Sequence, residues 1–130
     1  MKNWKILLFG LLVISWFCVS SCDKYNSKIT GKVFYTDIDD GINYPAARAV
    51  VTKMVQKNDS LHFVSAVFAD ANGEFLFDHT TKGTWILSGK FENDTIFYFG
   101  VSESFDTDGK KPYAEQIIII LKPLINNDLE

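Results

Sequence analysis

From Lys28 onward, apolar side chains recur at every second position, and this period constrains the chain more than any other feature. Ile29, Gly31, Val33 and Tyr35 alternate with Thr30, Lys32 and Phe34, and Trp85, Leu87, Gly89 and Phe91 alternate with Thr84, Ile86, Ser88 and Lys90. Residues two apart share one face of a strand, whereas a helix would repeat at 3.6. Five further runs, 47–55, 61–69, 75–77, 95–101 and 113–121, read as strands, which makes seven. Turn residues separate them: Asp37 to Gly41, Lys57-Asn58-Asp59, Asp70-Ala71-Asn72-Gly73, Glu92-Asn93-Asp94 and Asp106 to Pro112. No stretch carries an amphipathic helical period. Short strands at this spacing predict an all-β sandwich.

The first 22 residues obey a different rule. Lys2 and Lys5 precede an apolar run from Ile6 to Val19, broken by Gly10 and Ser15. That run spans roughly 21 Å as a helix, at ~1.5 Å per residue. It is shorter than the ~20 residues that a stable bilayer span requires. A positive start, a short apolar core and small residues at its end form a secretory pattern. Val19-Ser20-Ser21-Cys22 resembles the bacterial lipobox, and the resemblance implies a thioether lipid on Cys22 as the mature N-terminus. The expected division is a signal peptide at 1–21, a lipidated Cys and polar tether at 22–27, a sandwich domain at 28–122 and a tail at 123–130. The implied location is a bacterial cell envelope, on the outer membrane. Asp23 stands alone after Cys22, with no acidic run, so the leaflet stays open.

Removing Lys2 and Lys5 leaves 11 basic side chains against 16 acidic ones. No basic patch offers to neutralise several phosphates, which argues against nucleic acid as a partner. Cys18 leaves with the signal and Cys22 carries lipid, so the domain has no cysteine for a disulfide and must be held by burial.

The order of motifs supports a further resemblance. Ile29-Thr30-Gly31-Lys32-Val33 opens the domain, and Pro45-Ala46-Ala47-Arg48-Ala49-Val50-Val51 follows. Then come Asp70-Ala71-Asn72-Gly73-Glu74-Phe75 and Gly83-Thr84-Trp85-Ile86-Leu87. This order resembles the carboxypeptidase regulatory-like family, of transthyretin-like (prealbumin-like) Greek-key fold, over Ile29 to about Leu121. Arg48 stands where that family often has Gly, and Trp85 where it has Tyr. Physically, Gly73 supplies a positive-φ position in a hairpin and Asp70 caps that turn through its side chain. Trp85 is expected to be buried. The family marks a fold and implies no activity of its own.

Candidate chemistry is sparse. His62 and His79 lie in no zinc-binding spacing, and neither a metal nor a cofactor is implied. Asp37 to Gly41 and Asp106 to Gly109 have oxygen ligands that suit Ca²⁺ but lack the Glu at the twelfth loop position. Such turns favour Asp and Gly in any case. Asp59-Ser60-Leu61 and Asp94-Thr95-Ile96 match the pattern of Bacteroidetes-type O-glycosylation, which makes Ser60 and Thr95 candidate sites.

The last two strands are apolar on both faces. Phe97 and Phe99 oppose Ile96 and Tyr98, and Ile118 and Ile120 oppose Ile117 and Ile119. A strand with one wet face should alternate. Either loops or the tail after Pro123 cover the outer side, or Phe97, Phe99, Ile118 and Ile120 form a face for a partner protein or a second copy. Were 113–121 an edge strand, it could also pair with another chain. The expected role is thus that of a non-enzymatic, lipid-anchored envelope protein with a binding or accessory role toward another envelope protein. One alternative is a carbohydrate-binding surface module using Tyr35, Tyr44 and Phe105. Another is a small transthyretin-like hydrolase, which needs His62 or His79 to converge with Arg48.

Overall fold

The computed structural model describes residues 27–125, and the segment read as signal peptide and lipidated Cys22 lies outside them. The fold is all-β, with nine strands in place of the expected seven. They are β1 (Ser27–Thr36), β2 (Asn43–Pro45), β3 (Val50–Lys57), β4 (Ser60–Phe68), β5 (Glu74–Thr80), β6 (Gly83–Asn93), β7 (Ile96–Val101), β8 (Phe105–Thr107) and β9 (Ile117–Pro123). The two additions, β2 and β8, are three residues long and too short to show a period. Each exists by pairing: Tyr35 with Tyr44 in one case, Trp85 with Phe105 in the other.

The strands make two packed layers. In one, β1 lies between β9 on one side and β5 and β2 on the other. In the other, the order is β4, β3, β6, with β7 and β8 sharing the far side of β6. The last strand joins the layers. β9 runs parallel to β1 over Ile117 to Leu121, then pairs with β7 at Lys122 and Pro123. Two expectations are corrected here. The final strand begins at Ile117, because Tyr113 is diverted: its N–H donates to the Lys28 carbonyl at 2.9 Å and its ring packs on Phe105. And this strand stands between β1 and β7 in the strand order, not at an end of it.

The alternating residues meet between the layers. Ile29 and Val33 of β1, Phe75 and Phe77 of β5, and Ile119 and Leu121 of β9 are buried. So are Val51 of β3, Trp85 and Leu87 of β6 and Tyr98 of β7. Trp85 is buried as expected, with its indole N–H donated to Thr107 Oγ1 at 3.0 Å. Burying each such side chain contributes about 1.5–3 kcal/mol. Gly89 lets the layers close, since a Cβ there would stand 2.9 Å from Leu121 Cδ2. Ser27 is no tether: it starts β1, is fully buried, and donates its hydroxyl to the Lys111 carbonyl at 2.8 Å.

The β4–β5 turn folds as its sequence demands. Gly73 has φ +78°, and Asp70 Oδ1 accepts from the amides of Asn72 at 2.8 Å and Glu74 at 2.9 Å. The Gly73 carbonyl then accepts from Val33, tying the turn to β1.

Candidate functional site

The register of β1, β7 and β9 decides which apolar residues reach the surface. Val33 is level with Ile119 and both point inward, so Lys32, Phe34, Ile118 and Ile120 point out. On β7 the buried residue is Tyr98, which turns Phe97, Phe99 and Val101 outward. The four residues of the suspected partner face are all exposed: Phe97 57%, Phe99 37%, Ile118 49% and Ile120 42%. They stand on neighbouring strands, with Phe99 level with Lys122 of β9. The start of the tail is pinned beside them, since the Leu124 N–H donates to the Phe97 carbonyl at 2.7 Å. Among the described residues these four side chains stay exposed, and Leu124 and Ile125 are themselves half exposed.

A groove of about 590 Å³ runs along one side of this face, lined by Val50, Phe97, Phe99 and Leu124 with Arg48, Lys90 and Glu92 at its rim. Arg48 sits at φ +64°. That is the left-handed backbone region, which favours glycine. An Arg there gives up about 1–2 kcal/mol relative to a relaxed conformation. Neither histidine lines this groove: His62 is exposed on β4 and His79 is exposed on β5. Among the described residues no group of three His, Cys, Asp or Glu side chains stands close enough to hold a metal ion.

The three aromatic residues named for sugar binding separate. Phe105 is buried against Tyr113, so it is removed from the list. Tyr35 is half buried, stacked among Phe91 at 4.7 Å and Tyr98 at 5.1 Å. Tyr44 remains exposed, and its hydroxyl donates to Asp40 Oδ2 at 2.6 Å. That bond and the Ile42 amide hold the Asp40 carboxyl below its usual range, and the same bond raises the Tyr44 phenol. The acidic turns spend their carboxylates on their own backbone. Asp37 Oδ1 accepts from the Asp39 amide at 2.7 Å, and Asp108 Oδ1 accepts from Lys110 at 2.8 Å and Lys111 at 2.9 Å.

Thr95 lies in an exposed hairpin turn, and Ser60 directly follows one as the exposed first residue of β4. Asn58 and Asp59 have φ of 50° and 64°, and Asp94 and Thr95 have 50° and 69°. Two consecutive positive φ values are the signature of type I′ turns, which match the twist of the flanking strands. Thr95 is β-branched and fits that conformation badly.

The side chain that sequence reading passed over is Lys53. It is 2% exposed, in the middle of β3. Its ammonium donates to the His79 carbonyl at 2.9 Å and to Thr80 Oγ1 at 3.0 Å. It lies 4.9 Å from the Trp85 ring centre and 5.2 Å from that of Phe77. The acceptor exists because the β1–β5 register slips between Ser27 and Ile29, leaving His79 outside the regular pairing. No carboxylate lies within ion-pair distance among the described residues. Burial therefore pushes the Lys53 pKa down. The period-two pattern did place Lys53 between Val51 and Val55, on the inward face.

No family model matches the chain, and no curated protein sequence matches it. Among solved structures it is similar to a proposed carbohydrate-binding protein from Pseudomonas aeruginosa, at 17% identity and a TM-score of 0.50, over 77% of this chain and 90% of that one. At that identity the likeness is one of fold: an all-β architecture shared over most of both chains.

Proposed function

We propose that this chain is a non-catalytic protein of a bacterial cell envelope, held to the outer membrane by lipid on Cys22, which works by binding another envelope protein. The observation that carries this reading is the open face of β7 and β9. Phe97, Phe99, Ile118 and Ile120 are exposed on strands held by pairing, β7 to β6 and β9, and β9 to β1. Scattered surface apolar residues need no explanation, but a contiguous group on rigid strands marks an interaction surface. The lipobox-like Val19-Ser20-Ser21-Cys22 supports the anchor.

The test is site-specific photo-crosslinking in cells, with the probe placed at Phe97 or at Ile118 and, as a control, at exposed Lys82 in the connection from β5 to β6. The reading expects one discrete crosslinked envelope protein from the first two positions and none from the third. A Phe99→Ser/Ile118→Ser double variant should lose the product while melting as the parent does. Unfolding of that variant, or equal products from all three positions, overturns the reading.

A second reading, a carbohydrate-binding surface module, is favoured by the groove. Phe97 and Phe99 there flank polar Arg48, Lys90 and Glu92, and the structural neighbour is itself proposed to bind carbohydrate. Glycan-array binding that disappears in Phe97→Ala would select it over the first.

A further inference from the structure

The free edges of the two layers are unequal. β2 is three residues long and ends in Pro45; β8 is three residues long and carries Asp106; β5 carries Glu74 and Asp78. Short length, proline and charge are the usual means by which an edge is kept from pairing with another chain. β4 has none of these three, and its one protecting feature is a bulge at Val64. It is nine residues long, Ser-Leu-His-Phe-Val-Ser-Ala-Val-Phe, without a proline or a carboxylate, lysine or arginine. Among the described strands it pairs only with β3. The register slip opposite Lys53 and Met54 makes Val64 an extra residue, which bends the strand and leaves a run open on either side of it.

The two ends of β4 are complementary. At the Ser60 end, Leu61 and Phe63 project as exposed apolar side chains, Phe63 being 69% exposed, and Lys57 follows just beyond. At the other end lies a hollow of about 540 Å³ beside Phe68, lined by Leu76, Gly31 and Thr30 with Asp70 and Glu74 at its rim. We infer that β4 pairs antiparallel with β4 of a second copy of this chain, joining the two β4 layers into one sheet. Antiparallel pairing brings the apolar, lysine-bearing end of each copy to the acidic-rimmed hollow of the other. The same contact is made twice about a two-fold axis, as an isologous dimer requires. Backbone pairing supplies attraction along the strand, and Leu61 and Phe63 entering the two hollows supply the register. This dimer uses the edge of the layer and leaves the β7–β9 face free.

The experiment is sedimentation and light scattering on residues 23–130, which retain every buried core side chain and every strand pairing described above. Over concentrations from about 5 to about 500 µM the fragment is expected to pass from monomer to dimer. Phe63→Glu, which sets a carboxylate against Asp70 and Glu74 at the rim of the other copy's hollow, should raise the dissociation constant about 100-fold. Phe68→Lys should do the same from the other end. Both residues are largely exposed, so melting of the monomer should not move. Phe97→Lys should leave the dimer intact. A monomer at every concentration overturns the inference, which is also the result if β4 instead serves another protein's strand. A dimer that survives both β4 variants, or one dissolved by Phe97→Lys, overturns it equally, and places the contact on the β7–β9 face.

Discussion

Replacing Lys53 by Met separates the energetics of this core more sharply than any apolar truncation. Three terms meet at the ammonium. Holding an unpaired charge out of water costs several kcal/mol. Against that stand two hydrogen bonds from a charged donor, about 1.5–3 kcal/mol each. Two aromatic faces at 4.9 and 5.2 Å add a cation–π contribution. Desolvated contacts of that kind are worth about 1–2 kcal/mol. These terms nearly cancel, so Lys53→Met should change stability at pH 7 by no more than about 2 kcal/mol. Lys53→Ala also discards the packed stem and should cost about 2–4 kcal/mol.

The pH dependence carries the sign. Burial lowers the Lys53 pKa in the folded state, while the unfolded chain keeps it near 10.4. Between those values the unfolded state binds the extra proton, so stability rises with pH. The rise is complete above the unfolded pKa and is lost as pH falls through the folded one. Its slope approaches about 1.4 kcal/mol per pH unit for one proton. Tyr35 and Tyr113, whose pKa values burial raises, act in the opposite direction near the top of this range. The measurement is therefore a difference: urea unfolding of parent and Lys53→Met at half-unit steps from pH 7 to pH 10.5, with the variant subtracting the shared tyrosine titrations. A parent-minus-variant stability that climbs with pH supports the account. A flat or falling difference would mean that the charge is solvated through motions of β3, and the reasoning fails.

Two turn substitutions test the local readings. Thr95→Gly relieves a β-branched residue held at φ 69°, and should stabilise the domain by about 1 kcal/mol in thermal melts; destabilisation would show that the Thr95 side chain holds the turn. Asp70→Ala removes the acceptor of the Asn72 and Glu74 amides, and should cost about 2 kcal/mol, with amide exchange rising at Glu74 and Val33 before the rest of the sheet.

What the sequence could convey follows from how local each cause is. The Asp70 to Gly73 turn was legible because its hydrogen bonds and its positive φ lie within four residues. Period two identified the seven longer strands and the outward set on β7 and β9. It could not reveal β2 or β8, because three residues carry no period and their pairing partners are remote. It also ran the last strand back from Ile117 through Tyr113-Ala114-Glu115-Gln116, where Tyr113 is drawn off by Lys28 and Phe105. Lys53 was passed over for a different reason. Its position in the pattern pointed inward while its charge pointed outward, and the deciding acceptor, the His79 carbonyl, appears only when β5 slips against β1.

The placement of the two exposed surfaces has a consequence for binding. β4, β3, β6 and β7 belong to one layer, so the β4 edge and the Phe97–Phe99 face are parts of the same sheet. When two copies join antiparallel along β4, the two-fold axis runs perpendicular to that sheet, and both β7 faces point the same way. Held by the lipid proposed for Cys22, such a pair would present both binding faces to one partner array. A second engagement becomes intramolecular, with avidity gains of about 10²–10⁴-fold when the spacing fits. Weak binding by each single face is thus compatible with strong retention by the dimer. The signature would be a partner or glycan surface that retains the parent chain but releases Phe63→Glu, even though each Phe63→Glu monomer keeps an unaltered β7–β9 face.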